Sequence, residues 1–321
     1  MIQPLKLSDS AQALLSCPAC KSKLTKTDAR FSCTNPTCNS QFPTVDGVPV
    51  LINDNSSLFS IDDFVSHRQT TFDLTSNPIK VSIKRLLPRL GRNIKGRLNY
   101  QELARLLLCQ PSNPRVLIIG GSILGEGTEA LLRESRVELV ETDVSFGPRT
   151  QLISDAHDIP FAGETFDAVV VQAVLHCVTE PARCVGEIHR VLKKQGLVYA
   201  ETSFMQQVVD APYDFTRLTH LGVRRLFRNF EEIESGVVCG PGMALAWSLQ
   251  FFMLSFAESK LVRGAIRALC QVGLCWLKYF DYYLAHKPAS FDAASGFYFM
   301  GRKSEHTLSD RDLVRLYRGS R

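Results

Sequence analysis

Residues 115–127 read Arg115-Val-Leu-Ile-Ile-Gly120-Gly121-Ser-Ile-Leu-Gly125-Glu-Gly127. A short, unbroken apolar run that stops at glycines is the pattern of a strand buried on both faces and followed by a tight turn. Glycine lets the backbone turn sharply and come close to whatever lies opposite. Helical spacing resumes over 129–134, and the start of a helix presents unpaired N–H groups. The same turn also serves strand–helix connections that bind nothing.

The alternation continues on both sides. Residues 101–109 have helical spacing, and 138–141 and 168–172 read as strands. Residues 181–192 form a helix with Val185, Ile188, Val191 and Leu192 on its apolar face, and 196–201 form a further strand. Strands that alternate with helices predict an α/β fold with a doubly wound, mostly parallel sheet. A last strand candidate, 296–301, is expected at the sheet edge. Residues 204–290 are expected to form a helical insertion within the same domain, which spans 99–321.

Asp143 lies about 20 residues past the glycines, just after the next strand, where a carboxylate can accept bonds from ribose hydroxyls. Glu141 competes for that role. The next block runs Asp155-Ala156-His157-Asp158-Ile-Pro160-Phe161, then Thr165-Phe166-Asp167-Ala-Val, then a strand that ends at Gln172. It continues into Glu187-Ile-His189-Arg190-Val-Leu-Lys193 and a turn at Gly196. These motifs, in this order over about 112–203, resemble the class I S-adenosylmethionine (SAM)-dependent methyltransferases, especially the group called type 11. The sequence departs from that pattern at Ile118 and Ser122 in the glycine turn, and at Leu175-His176-Cys177 after the fourth strand. The resemblance implies a Rossmann-like fold and SAM as cofactor. Gly120, Gly121 and Gly125 would bed its methionine and ribose portion, and Asp143 would hold the ribose. Asp155 and Ala156 would sit near the adenine, with Gln172 beside the transferable methyl.

Methyl transfer needs mainly an in-line acceptor, and a base helps where that acceptor is a hydroxyl or a protonated amine. His157, His176 and His220 are candidates, and His176 is the expected catalytic base because the fourth-strand loop borders the methyl group in the family. Pro212-Tyr213-Asp214-Phe215-Thr216-Arg217 resembles a segment of glycan and small-molecule methyltransferases, which makes Tyr213, Asp214 and Arg217 the acceptor-side candidates.

Toward the N-terminus, Cys17-Pro-Ala-Cys20 and Cys33-Thr-Asn-Pro-Thr-Cys38 are two cysteine pairs twelve residues apart. Two thiolate-bearing turns close a tetrahedral Zn2+ site, and four sulfur ligands leave no open position, so the metal is expected to be structural. The following Phe42-Pro43-Thr-Val-Asp46-Gly47-Val-Pro49-Val-Leu51 completes a resemblance to the Trm112-like zinc ribbon over residues 1–52. That family's ribbons accompany or activate methyltransferases, or help to bind RNA. Residues 53–98 read as a basic amphipathic connector with Lys80, Lys84, Arg85, Arg89, Arg92, Lys95 and Arg97.

The chain has 321 residues and a formal net charge of +5, too mild by itself to point to nucleic acid. No export signal is readable, so the ten cysteines are expected to be thiols or metal ligands. The expected location is the cytoplasm. A peripheral contact at the inner membrane face would run through the apolar, aromatic stretch 243–284. The leading expectation is an enzyme that methylates oxygen or nitrogen of a small-molecule, sugar or lipid-linked glycan acceptor. An RNA methyltransferase that uses the ribbon for RNA binding is a second reading, and an inactive SAM-binding scaffold is a third.

Overall fold

The computed structural model describes residues 4–27, 30–71, 87–109 and 113–320. Of the connector's basic residues, Lys80, Lys84 and Arg85 lie outside these.

Four short strands come first: β1 (Leu24–Lys26), β2 (Arg30–Cys33), β3 (Gln41–Val45) and β4 (Val48–Leu51). They form an antiparallel meander. Its last hairpin turns at Asp46-Gly47, both with positive φ (50° and 74°), as a two-residue hairpin turn between right-twisted strands requires.

The main sheet contains β5 (Arg115–Ile119), β6 (Glu138–Asp143), β7 (Leu152–Ser154), β8 (Phe166–Gln172), β9 (Leu192–Ser203), β10 (Phe230–Cys239) and β11 (Gly296–Lys303). In space the order is β7-β6-β5-β8-β9-β11-β10, with β7 through β9 all parallel. Alternate residues feed cores on opposite faces. Leu117, Val169 and Val198 pack with the helix Pro181–Val191 on one side, and Val116, Val170 and Tyr199 with the helix Gly96–Leu108 on the other. This is the Rossmann-like, mostly parallel arrangement.

Two features depart from the sequence expectation. Strand β11 does not end the sheet: it inserts antiparallel between β9 and β10. The edge is β10, inside the stretch 204–290 expected to be helical. Its first half, Phe230-Glu-Glu-Ile-Glu, carries charges, as a solvated sheet edge does. Two register shifts further blur its alternation. Helices of the insertion occupy the chain between β10 and β11, chiefly Pro241–Leu254 and Lys260–Leu274.

The N-terminal meander is joined to the main sheet. Strand β4 pairs in parallel with β7, Val50 opposite Ile153 and Leu51 opposite Ser154. Leu7, Ala11, Leu15, Phe31 and Phe42 pack into the same hydrophobic core as the β5 and β8 residues. Lys21 clasps Glu187 on the helix Pro181–Val191 at 2.8 Å, and the Ser16 amide donates to the Pro160 carbonyl.

Candidate active site

A cavity of about 500 Å3 opens at the carboxyl ends of the parallel strands, on either side of the point between β5 and β8 where the strand order reverses. Ligands of open α/β sheets bind at such a point, because loops diverge there and the strand ends face outward. The volume lies within the range of small-molecule pockets. Gly120, Gly121, Gly125, Asp143, Asp155, Ala156 and Gln172 all line it.

The glycine turn is shaped by its neighbours as much as by space for a ligand. Gly120 has φ +78°, and a Cβ there would stand 2.4 Å from Val174 Cγ2. A Cβ on Gly125 would fall on Gln172 Oε1, at 1.6 Å. At the end of β6, Asp143 is buried and its Oδ2 accepts the Ser122 amide at 3.0 Å. Burial pushes its carboxyl above the usual range. Glu141 also lines the cavity, but Arg149 holds its Oε1 at 2.6 Å.

Asp155 is held from several directions. His157 contributes its amide and ring Nδ1, the latter at 2.6 Å, and the Ser57 hydroxyl donates at 2.5 Å. Burial raises its pKa, and these bonds outweigh that effect and bring it net below the ordinary value. His157 Nε2 accepts the Glu180 amide, which leaves Nδ1 as the protonated nitrogen and makes this ring a fixed prop. Ser57 belongs to an arm that leaves the N-terminal meander and crosses the cavity mouth. Leu58 and Phe59 line the cavity, and the Phe59 ring lies 5.4 Å from that of Tyr213.

The fourth wall holds a residue that sequence reasoning missed. Glu201, at the end of β9, lines the cavity and is 7% exposed. It accepts bonds from Tyr199 Oη, from Asn93 Nδ2 at 2.9 Å and from Gln172 Nε2 at 2.9 Å. Tyr100 in turn donates to Gln172 Oε1 at 3.0 Å, which fixes that amide's orientation. Among the described residues no lysine, arginine or histidine pairs with Glu201, and burial raises its pKa. A buried carboxylate with neutral donors and no counter-ion either keeps its proton or receives a cation from outside. The available signal was an acidic residue at the end of an otherwise buried strand, Val198-Tyr-Ala-Glu201.

The acceptor-side candidates divide. Tyr213 lines the cavity; Asp214 and Arg217 do not. Their side chains form a bidentate pair, and Arg217 also donates to the carbonyls of Gln206 and Gln207, so the pair braces the loop 206–217. The Arg217 guanidinium holds Asp214 down at about 2.

His176, expected as the base, is likewise outside the cavity lining. It is 2% exposed, its Nε2 bonds Asp210 at 3.1 Å, and its carbonyl accepts the amides of Phe215 and Thr216. Its neighbour Cys177 lines the cavity, as does Asp210, and the Cys177 thiol lies 3.6 Å from the same Asp210 oxygen that His176 bonds. His176, Cys177 and Asp210 place three ligand-type atoms within 4.8 Å of one another. Nδ1 of His176 has no partner, whereas a metal-bound imidazole donates its other N–H to a neighbour. His220 is buried away from the cavity against Ser235.

A second cluster lies in the N-terminal meander. Cys17 Sγ is 3.7 Å from Cys38 Sγ and Cys20 Sγ is 3.4 Å from Cys33 Sγ, with all four sulfurs within 4.8 Å. Thiolates about 2.3 Å from one tetrahedral zinc ion stand roughly 3.8 Å apart, so the residues fit such an ion.

Residues 124–200 match the family described as a methyltransferase domain, from the glycine turn to the body of β9. The chain is 31% identical over 96 residues to an uncharacterized chloroplastic methyltransferase of Arabidopsis thaliana, a span of 29% of this chain and 27% of the relative. A second such Arabidopsis thaliana protein is 34% identical over 91 residues, covering 27% and 24% respectively. The chain thus spans about a quarter of the length of these curated relatives. Among solved structures, the complex between the Haloferax volcanii Trm112 methyltransferase activator and a methyltransferase is 16% identical, with coverage of 68% of this chain and 92% of that one and a TM-score of 0.40. A Haemonchus contortus phosphoethanolamine N-methyltransferase with S-adenosylhomocysteine is also 16% identical, with coverage of 64% and 52% and a TM-score of 0.40. Superpositions at that level add nothing to the fold read from the strands. Residues 124–200 thus match a methyltransferase-domain family, and the cavity described above is lined in part by that segment.

Proposed function

We propose that this chain is a SAM-dependent methyltransferase that acts on oxygen or nitrogen of a small-molecule, sugar or lipid-linked glycan acceptor, with a structural Zn2+ on Cys17, Cys20, Cys33 and Cys38. The observation that carries the reading is Glu201: a buried carboxylate without a protein counter-ion, facing a nucleotide-type cavity beside Gln172. A sulfonium is the cation such a site lacks. When bound, SAM supplies an electrophilic methyl group on a positively charged sulfur.

The remaining roles follow from position. Asp143, pinned by the Ser122 amide, presents a carboxylate to ribose hydroxyls. Asp155, with His157 and Ser57 fixing it, frames the adenine end, and the arm through Phe59 shields it from water. Glu201 would hold the positive charge at the reacting end, and Gln172, oriented by Tyr100, keeps that carboxylate in place. Burial would raise the proton affinity of Glu201 whenever no cation faces it. It is therefore the group in this cavity best placed to take the acceptor's proton, in place of His176. Tyr213 borders the acceptor side. The ribbon's thiolates, all satisfied by one ion, stiffen the base from which the arm departs.

The test is transfer of labelled methyl from SAM into fractionated cell extract by the full chain and by Glu201→Gln. The expected result is label in small-molecule or lipid-extractable material, with transfer lowered at least about a hundredfold in the variant. Label confined to RNA, or equal transfer by both proteins, contradicts the reading.

A further inference from the structure

The helix Pro241–Leu254 is apolar on all sides except at Ser248 and Gln250. Met243, Ala246 and Leu254 face inward, while Leu245, Leu249 and Phe252 repeat at helical spacing on the opposite side and are exposed. Phe256, just beyond the C-terminus, continues that stripe at 77% exposure. Helices that are apolar all round normally lie in a core or in lipid.

The next helix, Lys260–Leu274, has only Cys270 buried. Leu261 (81% exposed), Leu269, Val272 and then Trp276 form a second apolar stripe, while Lys260, Arg263 and Arg267 follow another line along the same helix. Tyr279, Phe280, Tyr282 and Tyr283 extend the exposed surface. No helix among the described residues is long and apolar enough to cross a membrane.

Composition and charge together identify the occupant. Leucine and aromatic residues beside a basic line are what an amphipathic helix uses to lie in the headgroup region, and tryptophan and tyrosine favour that depth. Over 241–287 the exposed cations Lys260, Arg267 and Lys287 face a single exposed carboxylate, Glu258; Asp281 is buried. A negatively charged lipid surface is complementary to that balance. The face also adjoins the active site: Met243 and Arg92 line the cavity, and the Arg92 guanidinium lies 5.6 Å over the Tyr282 ring.

We propose that the helices Pro241–Leu254 and Lys260–Leu274, with the aromatic turn after them, are a docking face for anionic lipid bilayers. Docked there, the chain brings the Met243 side of its cavity next to the membrane, so that an amphiphilic acceptor is taken from the lipid surface. The acceptor half of this statement rests on the methyltransferase reading; the docking half does not.

The experiment is flotation of the full chain with vesicles of equal parts phosphatidylcholine and phosphatidylglycerol, and with phosphatidylcholine alone. The chain is expected to float with the anionic vesicles only. Phe252→Ser combined with Phe256→Ser is expected to weaken binding at least about tenfold. Lys260→Gln combined with Arg267→Gln should cost about fivefold per charge removed. All four residues lie outside the cavity lining, so circular dichroism and affinity for S-adenosylhomocysteine should match the parent's. A parent chain that stays with the pellet, or variants that float as well as it does, overturns the proposal. So does a dimer in sedimentation that Phe252→Ser with Phe256→Ser dissolves, because the face then covers a second copy. Loss of nucleoside binding with flotation intact would sink the methyltransferase reading and leave docking standing.

Discussion

Glu201 accepts three neutral side-chain donors and no cation, and its titration has a consequence that can be measured. Burial raises its pKa, so part of the acid range in which free carboxylates are ionised leaves it protonated. A sulfonium binds best to the ionised form. Affinity for SAM should therefore climb as pH rises through the Glu201 ionisation, while affinity for S-adenosylhomocysteine, whose sulfur is neutral, should stay nearly flat. Calorimetry of both ligands from acid to neutral pH reads the difference, and Glu201→Gln should abolish it. Parallel pH profiles for the two ligands in the parent chain would remove the counter-charge role. Glu201 was not singled out from sequence because a carboxylate at a strand end reads as solvated. Its burial comes from Asn93, Tyr199 and Gln172, residues that lie far apart along the chain.

The elements were legible in proportion to how local their cause is. The buried strands β5 and β8 and the helix Pro181–Val191 announce themselves by apolar period. Strand β10 did not, because a charged, bulged edge strand lacks a clean alternation. The arm 53–59 reads as polar linker, since serines and asparagines carry no periodicity. Only folding brings Ser57 to Asp155, and Asn53 and Ser56 to Asp158. The placement of His176 is legible only in part for a similar reason. Sequence places it in the loop at the cavity, and only folding turns its ring onto Asp210, which lines the cavity while His176 itself does not. At this scale the zinc site proposed on the N-terminal meander is the testable element. Cys20→Ser, or removal of metal with a chelator, should lower the melting temperature of the whole chain in a single transition, because β4 is paired with β7 and shares its core. A separate ribbon transition, with the main one unmoved, would show the ribbon to be energetically independent.

For the whole molecule, one asymmetry organises the account. The sheet's carboxyl edge gathers the glycine turn, Asp143, Asp155 and Glu201 around one cavity. The N-terminal arm covers it from one side, and the insertion between β10 and β11 flanks it from the other. Both flanking pieces depart from a minimal doubly wound sheet, and each has a use in the proposed function: one would close the nucleoside end, the other offers an apolar, basic face. The methyltransferase-domain match, 124–200, runs from the glycine turn through β6, β7 and β8 into β9 and reaches neither flank, so the flanks are where the proposed acceptor is to be sought. The most direct test of the central claim is a calorimetric titration of S-adenosylhomocysteine into the parent chain and into Asp143→Asn. The account predicts one site per chain and a loss of about 1–3 kcal/mol, or roughly ten- to a hundredfold, in the variant. No binding by the parent, or equal affinity in both, would contradict it.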